Sequence, residues 1–228
     1  SDSRRQQVFT MLEEETAGNT SPRRELAQKC LDYFRGSRQG SLELLGVEQA
    51  FTRCGEDQSP FLRSITALGL NFWEGTAGEN QRMNALLARL DRDDGRGEDI
   101  LDRYREEDKQ DETPVTKTPG LTISFNATVA LARRGSDLVR SGVLRKMLDR
   151  SYLAQNLLLR SKDGQERPDL SLVSKTMEAA LQAIADLHRK RPERDLASLY
   201  PAIEEVARSS DAALRNEAER TLKALGTK

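Results

Sequence analysis

Apolar side chains recur at spacings of three and four along nearly the whole chain, and alternation at a spacing of two is almost absent. A helix presents one face at every third or fourth residue and a strand at every second, so the chain is committed to helices that each hide one stripe. The spacing predicts helices at 3–16, 21–36, 41–54, 59–74, 79–92, 119–134, 137–150, 169–190, 195–208 and 211–225. Ser21-Pro22 and Ser59-Pro60 place a hydroxyl where it accepts a first-turn N–H, followed by a proline whose missing N–H costs nothing there. Gly36, Gly55, Gly75, Gly135 and Gly226 each follow an apolar-periodic run, where a helix turns off through the left-handed region.

Two stretches interrupt this rhythm. Residues 93–118, DDGRGEDILDRYREEDKQDETPVTKT, carry few apolar side chains and are expected as a polar inserted loop, with a short helix at 98–107 as an option. In LLLRSKDGQERPD, residues 157–169, Asp163-Gly164 between short polar flanks suits a two-residue hairpin turn, and with it a small β excursion.

The helices also repeat one register, with an apolar residue at i, a small or apolar one at i+4 and another at i+8. It fits Leu26, Cys30, Phe34; Leu62, Thr66, Leu70; Ile123, Ala127, Leu131; Val173, Met177, Leu181; and Leu214, Ala218, Leu222. A helix sandwiched between neighbours needs one continuous apolar stripe, with a small residue where another helix crosses closely.

The last copy is the clearest. LYPAIEEVARSSDAALRNEAERTLKALG, Leu199 to Gly226, resembles a HEAT repeat across its length, with Pro201 in the first helix, Asp211 or its neighbouring serines in the turn, and Leu214-Arg215 opening the second helix ahead of Ala218, Leu222 and Leu225. SPFLRSITALGLNF, Ser59 to Phe72, repeats the apolar-Arg opening as Leu62-Arg63. The copies start 36, 61, 50 and 41 residues apart by subtraction, where a regular array keeps about 40–47. Only one copy has the proline, and Ile123-Ser124 and Val173-Ser174 lack the arginine.

The resemblance to HEAT and armadillo-like proteins implies an all-α fold, an α-solenoid of about five irregular helix pairs forming one repeat domain over 1–228. The bland alternative is a compact helical bundle. In the family the second helix of each pair lines the concave face, and most members are scaffolds.

Thirty-six basic residues stand against thirty-seven acidic ones, so no overall positive field gathers a polyanion, and a dedicated nucleic-acid binder is disfavoured. Cys30 and Cys54 are too few for a disulfide framework and read as small buried apolar groups. No stretch is long and apolar enough to cross a bilayer, so no membrane insertion is expected. A start at Ser1 is compatible with a signal or anchor having been removed, which leaves the compartment open between a cytoplasmic protein and the soluble part of an exported or membrane-anchored one.

A lone histidine, His188, rules out a His-based triad or a two-His metal site within one chain; beside a helix C-terminus it reads as a favourable partial charge. Arg189, Lys190, Arg191 and Arg194 read as a solvated helix end rather than a phosphate contact. Trp73 reads as a seal between repeats, with an exposed partner anchor as its functional alternative. DRDDGRGED at 91–99 has calcium-loop composition but the wrong spacing, with Gly95 and Arg96 at positions five and six counted from Asp91. Asn126-Ala127-Thr128 matches a glycosylation sequon by chance, because Ala127 falls on the buried stripe. The sequence holds no phosphate-cradling glycine loop, GxSxG elbow or CxxC pair.

These observations assign no catalytic, binding or metal residue and no cofactor. They point to a non-enzymatic scaffold or adaptor for a protein partner. The alternative is an enzyme on the same fold, a HEAT-like DNA-base glycosylase or pigment lyase, which demands a pocket with a buried carboxylate.

Overall fold

A computed structural model describes residues 40–96, 112–118, 120–161 and 163–226. The elements are α1 (Gly40–Gly55), α2 (Pro60–Gly69) running into a 3-10 turn (Leu70–Phe72), α3 (Ala77–Leu90), β1 (Glu112–Thr116), α4 (Leu121–Arg133), α5 (Ser141–Leu148), α6 (Arg150–Asn156), β2 (Leu157–Ser161), β3 (Glu166–Pro168), α7 (Leu170–Lys190), a 3-10 turn (Ala197–Leu199), α8 (Tyr200–Ala207) and α9 (Ala212–Ala224). The described chain is mostly helical, as the spacing predicts. The expected helices at 3–16, 21–36 and 98–107, and the register copy Leu26, Cys30, Phe34, lie outside the described residues.

The helix starts carry the chemistry expected of them. Ser59 accepts the Leu62 N–H ahead of Pro60, and Asp149, Asp169 and Asp211 cap α6, α7 and α9 in the same manner. At α3, Thr76 and Glu79 form a reciprocal capping box, and the Thr76 backbone N–H, then its hydroxyl, hold the Glu79 carboxyl below its ordinary value. Gly135 and Gly226 close α4 and α9 in the left-handed region. Asp211 accepts from Ala213 and Leu214 N–H groups at 3.0 and 3.3 Å. Asp211→Ala is therefore expected to cost about 1 kcal/mol in urea unfolding, and a loss under a few tenths would mean that solvent replaces the cap.

The repeated register is the buried stripe. Of its described positions only Leu222 is half-buried; all the others are buried. The one hydroxyl among them, Thr66, is satisfied by the Leu62 carbonyl at 2.8 Å. Alanines at 127, 130 and 132 of α4 and at 180 and 183 of α7 are fully buried, which lets these two helices approach closely. Each fully buried leucine among them, such as Leu131 and Leu181, stabilises the fold by about 1.5–3 kcal/mol.

Each group of helices packs on the next along the chain. α1 packs on α2 and α3; α4 packs on α2, α3, α5 and α7; α5 and α6 pack on α7; α8 and α9 pack on each other, with α9 also against α7 and α8 against α5.

Three expectations are corrected. The polar insert at 93–118 is not loop throughout: Glu112–Thr116 forms β1 and pairs antiparallel with β2, which pairs with β3, in the order β1-β2-β3. A strand at a sheet edge needs a partner backbone more than apolar periodicity, and Val115 is its sole aliphatic residue. The β excursion at 157–169 is present, but its turn is one residue longer than expected: Gly164 N–H donates to the Ser161 carbonyl and Ser161 N–H to the Gln165 carbonyl. The Ser161 hydroxyl, then the Gln165 N–H, hold the Asp163 carboxyl at this turn below its ordinary value.

Third, the helix expected at 137–150 is the shorter α5, and a second short helix, α6, follows it where none was expected. Asp149 adopts extended backbone (φ −84°, ψ 100°) and spends its side chain on Tyr152 N–H, which ends α5 and starts α6 at one residue.

The small sheet has Pro114 on one edge strand and Pro168 on the other. Lys117 N–H bonds Asn156 O on the β1 side, and Asp169 N–H bonds Leu157 O on the β3 side. Counting in register from these bonds, both prolines fall at positions that face away from β2.

Candidate functional site

A chain that is one-third charged invites the question of which charges are already spent. The acidic run at 91–96 is spent almost completely. Asp93 takes a bidentate bond from Arg63, Nε to Oδ2 at 2.6 Å and Nη2 to Oδ1 at 2.9 Å, and also accepts the Gly95 N–H. Asp94 accepts from the Arg96 N–H and pairs with its guanidinium. Among the described residues no three His, Cys, Asp or Glu side chains gather in a metal-binding arrangement.

Two carboxylates are buried among the described residues, Glu48, which pairs with Arg82, and Asp91, the deeper of the two. Asp91 stands at the C-terminus of α3, where the helix dipole disfavours a negative charge, and its side chain is only 2% exposed. Oδ1 accepts from the hydroxyls of Thr128 and Ser124 on α4, the latter at 3.3 Å, and Oδ2 accepts from Arg140 Nε. Arg140 Nη2 donates to the Asp91 backbone carbonyl. One guanidinium therefore neutralises the carboxylate and caps the helix end together.

Arginines elsewhere hold loops in the same way. Arg134 reaches the Trp73 carbonyl at 2.9 Å, Arg191 the Gly135 carbonyl at 3.1 Å, and Arg194 the carbonyls of Ser136 and Val139 at 3.0 and 2.6 Å. The basic run 189–194 is thus largely engaged: Arg191 also pairs with Asp137, and Arg189 with Asp186. His188 is half-buried in the last turn of α7. Trp73 is buried at 3% exposure, edge-on to Phe51 with ring centroids 5.8 Å apart, which joins α1 to the end of the 3-10 turn. Asn126 of the chance sequon donates to Ser64 in mid-helix beside fully buried Ala127. Cys54 is buried, as expected, and Cys30 lies outside the described residues.

One open face lies at the start of α5. Arg140, Gly142, Val143, Arg145, Lys146 and Asp149 line an open depression of about 550 Å³. Arg140 is 43% exposed beside its buried partner, and Arg145 and Lys146 are exposed on the same helix. Lys146 Nζ lies 5.6 Å from the centroid of the Tyr152 ring. Gly142 adds no side chain, so the surface there is backbone.

The sequence carries a faint trace of this place that its local motifs do not reveal. RSGVLRKMLDR, 140–150, holds four cations, Arg140, Arg145, Lys146 and Arg150, against one carboxylate, Asp149. The pairing of Arg140 with Asp91, 49 residues earlier, has no local signature at all. Among the described residues no helix is long and apolar enough to cross a membrane. In comparison with known proteins, the chain matches no family model, no curated protein and no solved structure.

Proposed function

We propose that this chain is a non-enzymatic scaffold, an irregular α-solenoid of HEAT-like helix pairs that holds a protein partner on its surface. The observation that carries the reading is the order of packing: α1–α3 meet α4, and α4–α6 meet α7–α9 through α7 and through a smaller contact of α5 with α8. Stacked repeats contact their neighbours, whereas a compact bundle folds its ends back together. Two second-helix arginines add support. Arg63 on α2 and Arg215 on α9 each use Nη1 to bond the carbonyl six residues earlier, Asp57 at 2.7 Å and Ser209 at 3.0 Å, so each steadies the turn into its own helix. An enzyme on this fold would need a buried carboxylate; of the two among the described residues, Asp91 has both oxygens engaged by Ser124, Thr128 and Arg140, and Glu48 has both on Arg82.

Two measurements test this. In Asp211→Ala, hydrogen exchange is expected to quicken in α8 and α9 and to fade through α7, with α1–α3 unchanged, because coupling runs between nearest neighbours. Equal quickening everywhere would sink the solenoid. For function, the chain is used as bait in nuclease-treated lysate at low and high salt, and a retained protein is purified and rebound. Retention of nucleic acid alone, lost at high salt, would send the reading to the glycosylase class.

A further inference from the structure

The buried Asp91 and the open depression beside it form one device. Arg140 gives Nε and Nη2 to Asp91, and among the described residues its Nη1 has no partner. Asp91 cannot swing away, because Thr128 and Ser124 hold its other oxygen from α4. The guanidinium is therefore fixed along one edge and offers the other to the depression that it lines. A cation oriented in advance gives up little side-chain freedom on meeting an anion.

The rest of the rim carries two cations to one carboxylate. Arg145 has no ion-pair partner among the described residues, Lys146 stands beside it, and the Asp149 carboxylate is engaged with Tyr152 N–H. Residues 140–150 carry four cations against one carboxylate, and with Asp91 counted against Arg140 a local excess of two positive charges remains, in a chain whose net charge is −1.

The geometry points to this depression as the docking site of an acidic segment, rich in Asp or Glu, of a protein partner. The inference deepens the scaffold reading and rests on it. A nucleic acid fits less well. The adjacent basic run is engaged by loop carbonyls and carboxylates, so no extended row of free cations is left to release counterions. The ring of Tyr152 faces the Lys146 ammonium rather than standing free to stack on a base. Leu138, two residues before Arg140, is 50% exposed, and an apolar contact beside the cations suits a peptide better than a polyphosphate.

The test uses the full chain and a fluorescein-labelled twelve-residue peptide of Glu, Asp and Leu, followed by fluorescence anisotropy and by amide NMR shifts. The expected result is saturable binding, with shifts clustered at residues 138–150. Affinity should fall roughly tenfold in Arg145→Glu/Lys146→Glu, whose side chains are exposed and whose replacement leaves the core intact, and should fall in Arg140→Gln. Charge reversal at the remote, exposed Arg220 should leave it unchanged. No saturable binding, equal affinity in Arg145→Glu/Lys146→Glu, or tighter binding of a twelve-residue oligonucleotide at the same face would each overturn the assignment. A protein captured and rebound equally well by wild type and Arg145→Glu/Lys146→Glu would also overturn it while leaving the scaffold reading in place.

Discussion

Arg63→Met should lower the unfolding free energy by about 3–5 kcal/mol, the range in which removing one partner of a buried ion pair falls. All five N–H donors of this guanidinium are used, at 2.6 to 2.9 Å: Nε and one Nη2 donor on Asp93, two Nη1 donors on the carbonyls of Asp57 and Gln58, and the remaining Nη2 donor on the Arg96 carbonyl. The side chains of Arg63 and Asp93 are 9% and 12% exposed, so water does little to replace what is lost. Methionine keeps most of the volume, which makes the lost bonds the main effect. Urea unfolding measures the change, and in a chain of this length it corresponds to a Tm lower by roughly 10 °C. Arg63→Met/Asp93→Asn should recover part of the loss by removing the stranded charge. A single-variant loss under about 1 kcal/mol would mean that the pair is solvated in solution.

Gly120→Ala is expected to be comparably severe, at about 3 kcal/mol or more, for a reason that involves no side chain. Gly120 stands at the start of α4 with φ +74°, and an added Cβ would meet the Asp93 carbonyl oxygen at 2.2 Å, the Gly95 nitrogen at 2.7 Å and the Asp94 carbonyl carbon at 2.8 Å. All three are backbone atoms, so none can rotate aside; the 93–95 loop must move or α4 must shift. That loop is the one Arg63 holds. The two substitutions therefore release the same contact, and the double variant should lose less than the sum of the singles. Additive losses would show that the clamp and the close approach are independent. A Gly120→Ala protein within 1 kcal/mol of wild type would show that the loop yields freely.

The helices and their buried stripes were legible because each depends on side chains a few residues apart. Leu62, Thr66 and Leu70, or Val173, Met177 and Leu181, announce one face of one helix, and that face is buried. Caps such as Ser59 and Asp211 are legible for the same reason. The strand at 112–116 was not legible, because its partner lies more than forty residues further on and its own residues show no alternation to speak of. Nor was α6, which restarts the helix directly after α5 on the Asp149 cap, without a glycine or proline between them to mark it. The candidate site was the least legible. Asp91 looked like one more carboxylate in a solvated loop until the fold set it against Ser124, Thr128 and Arg140, and Arg140 itself lay in a run with no motif.

Those two outward-facing prolines on the small sheet bear on how copies of this chain meet one another. An open edge invites any extended segment to zip on, whether from a neighbour or from a partly unfolded copy of itself. At position 114 on one side and position 168 on the other, the row of outward donors has a gap that no incoming strand can fill. The sheet is in this sense finished at three strands. Main-chain hydrogen bonds, which any sequence can make, are thereby interrupted at both of its edges.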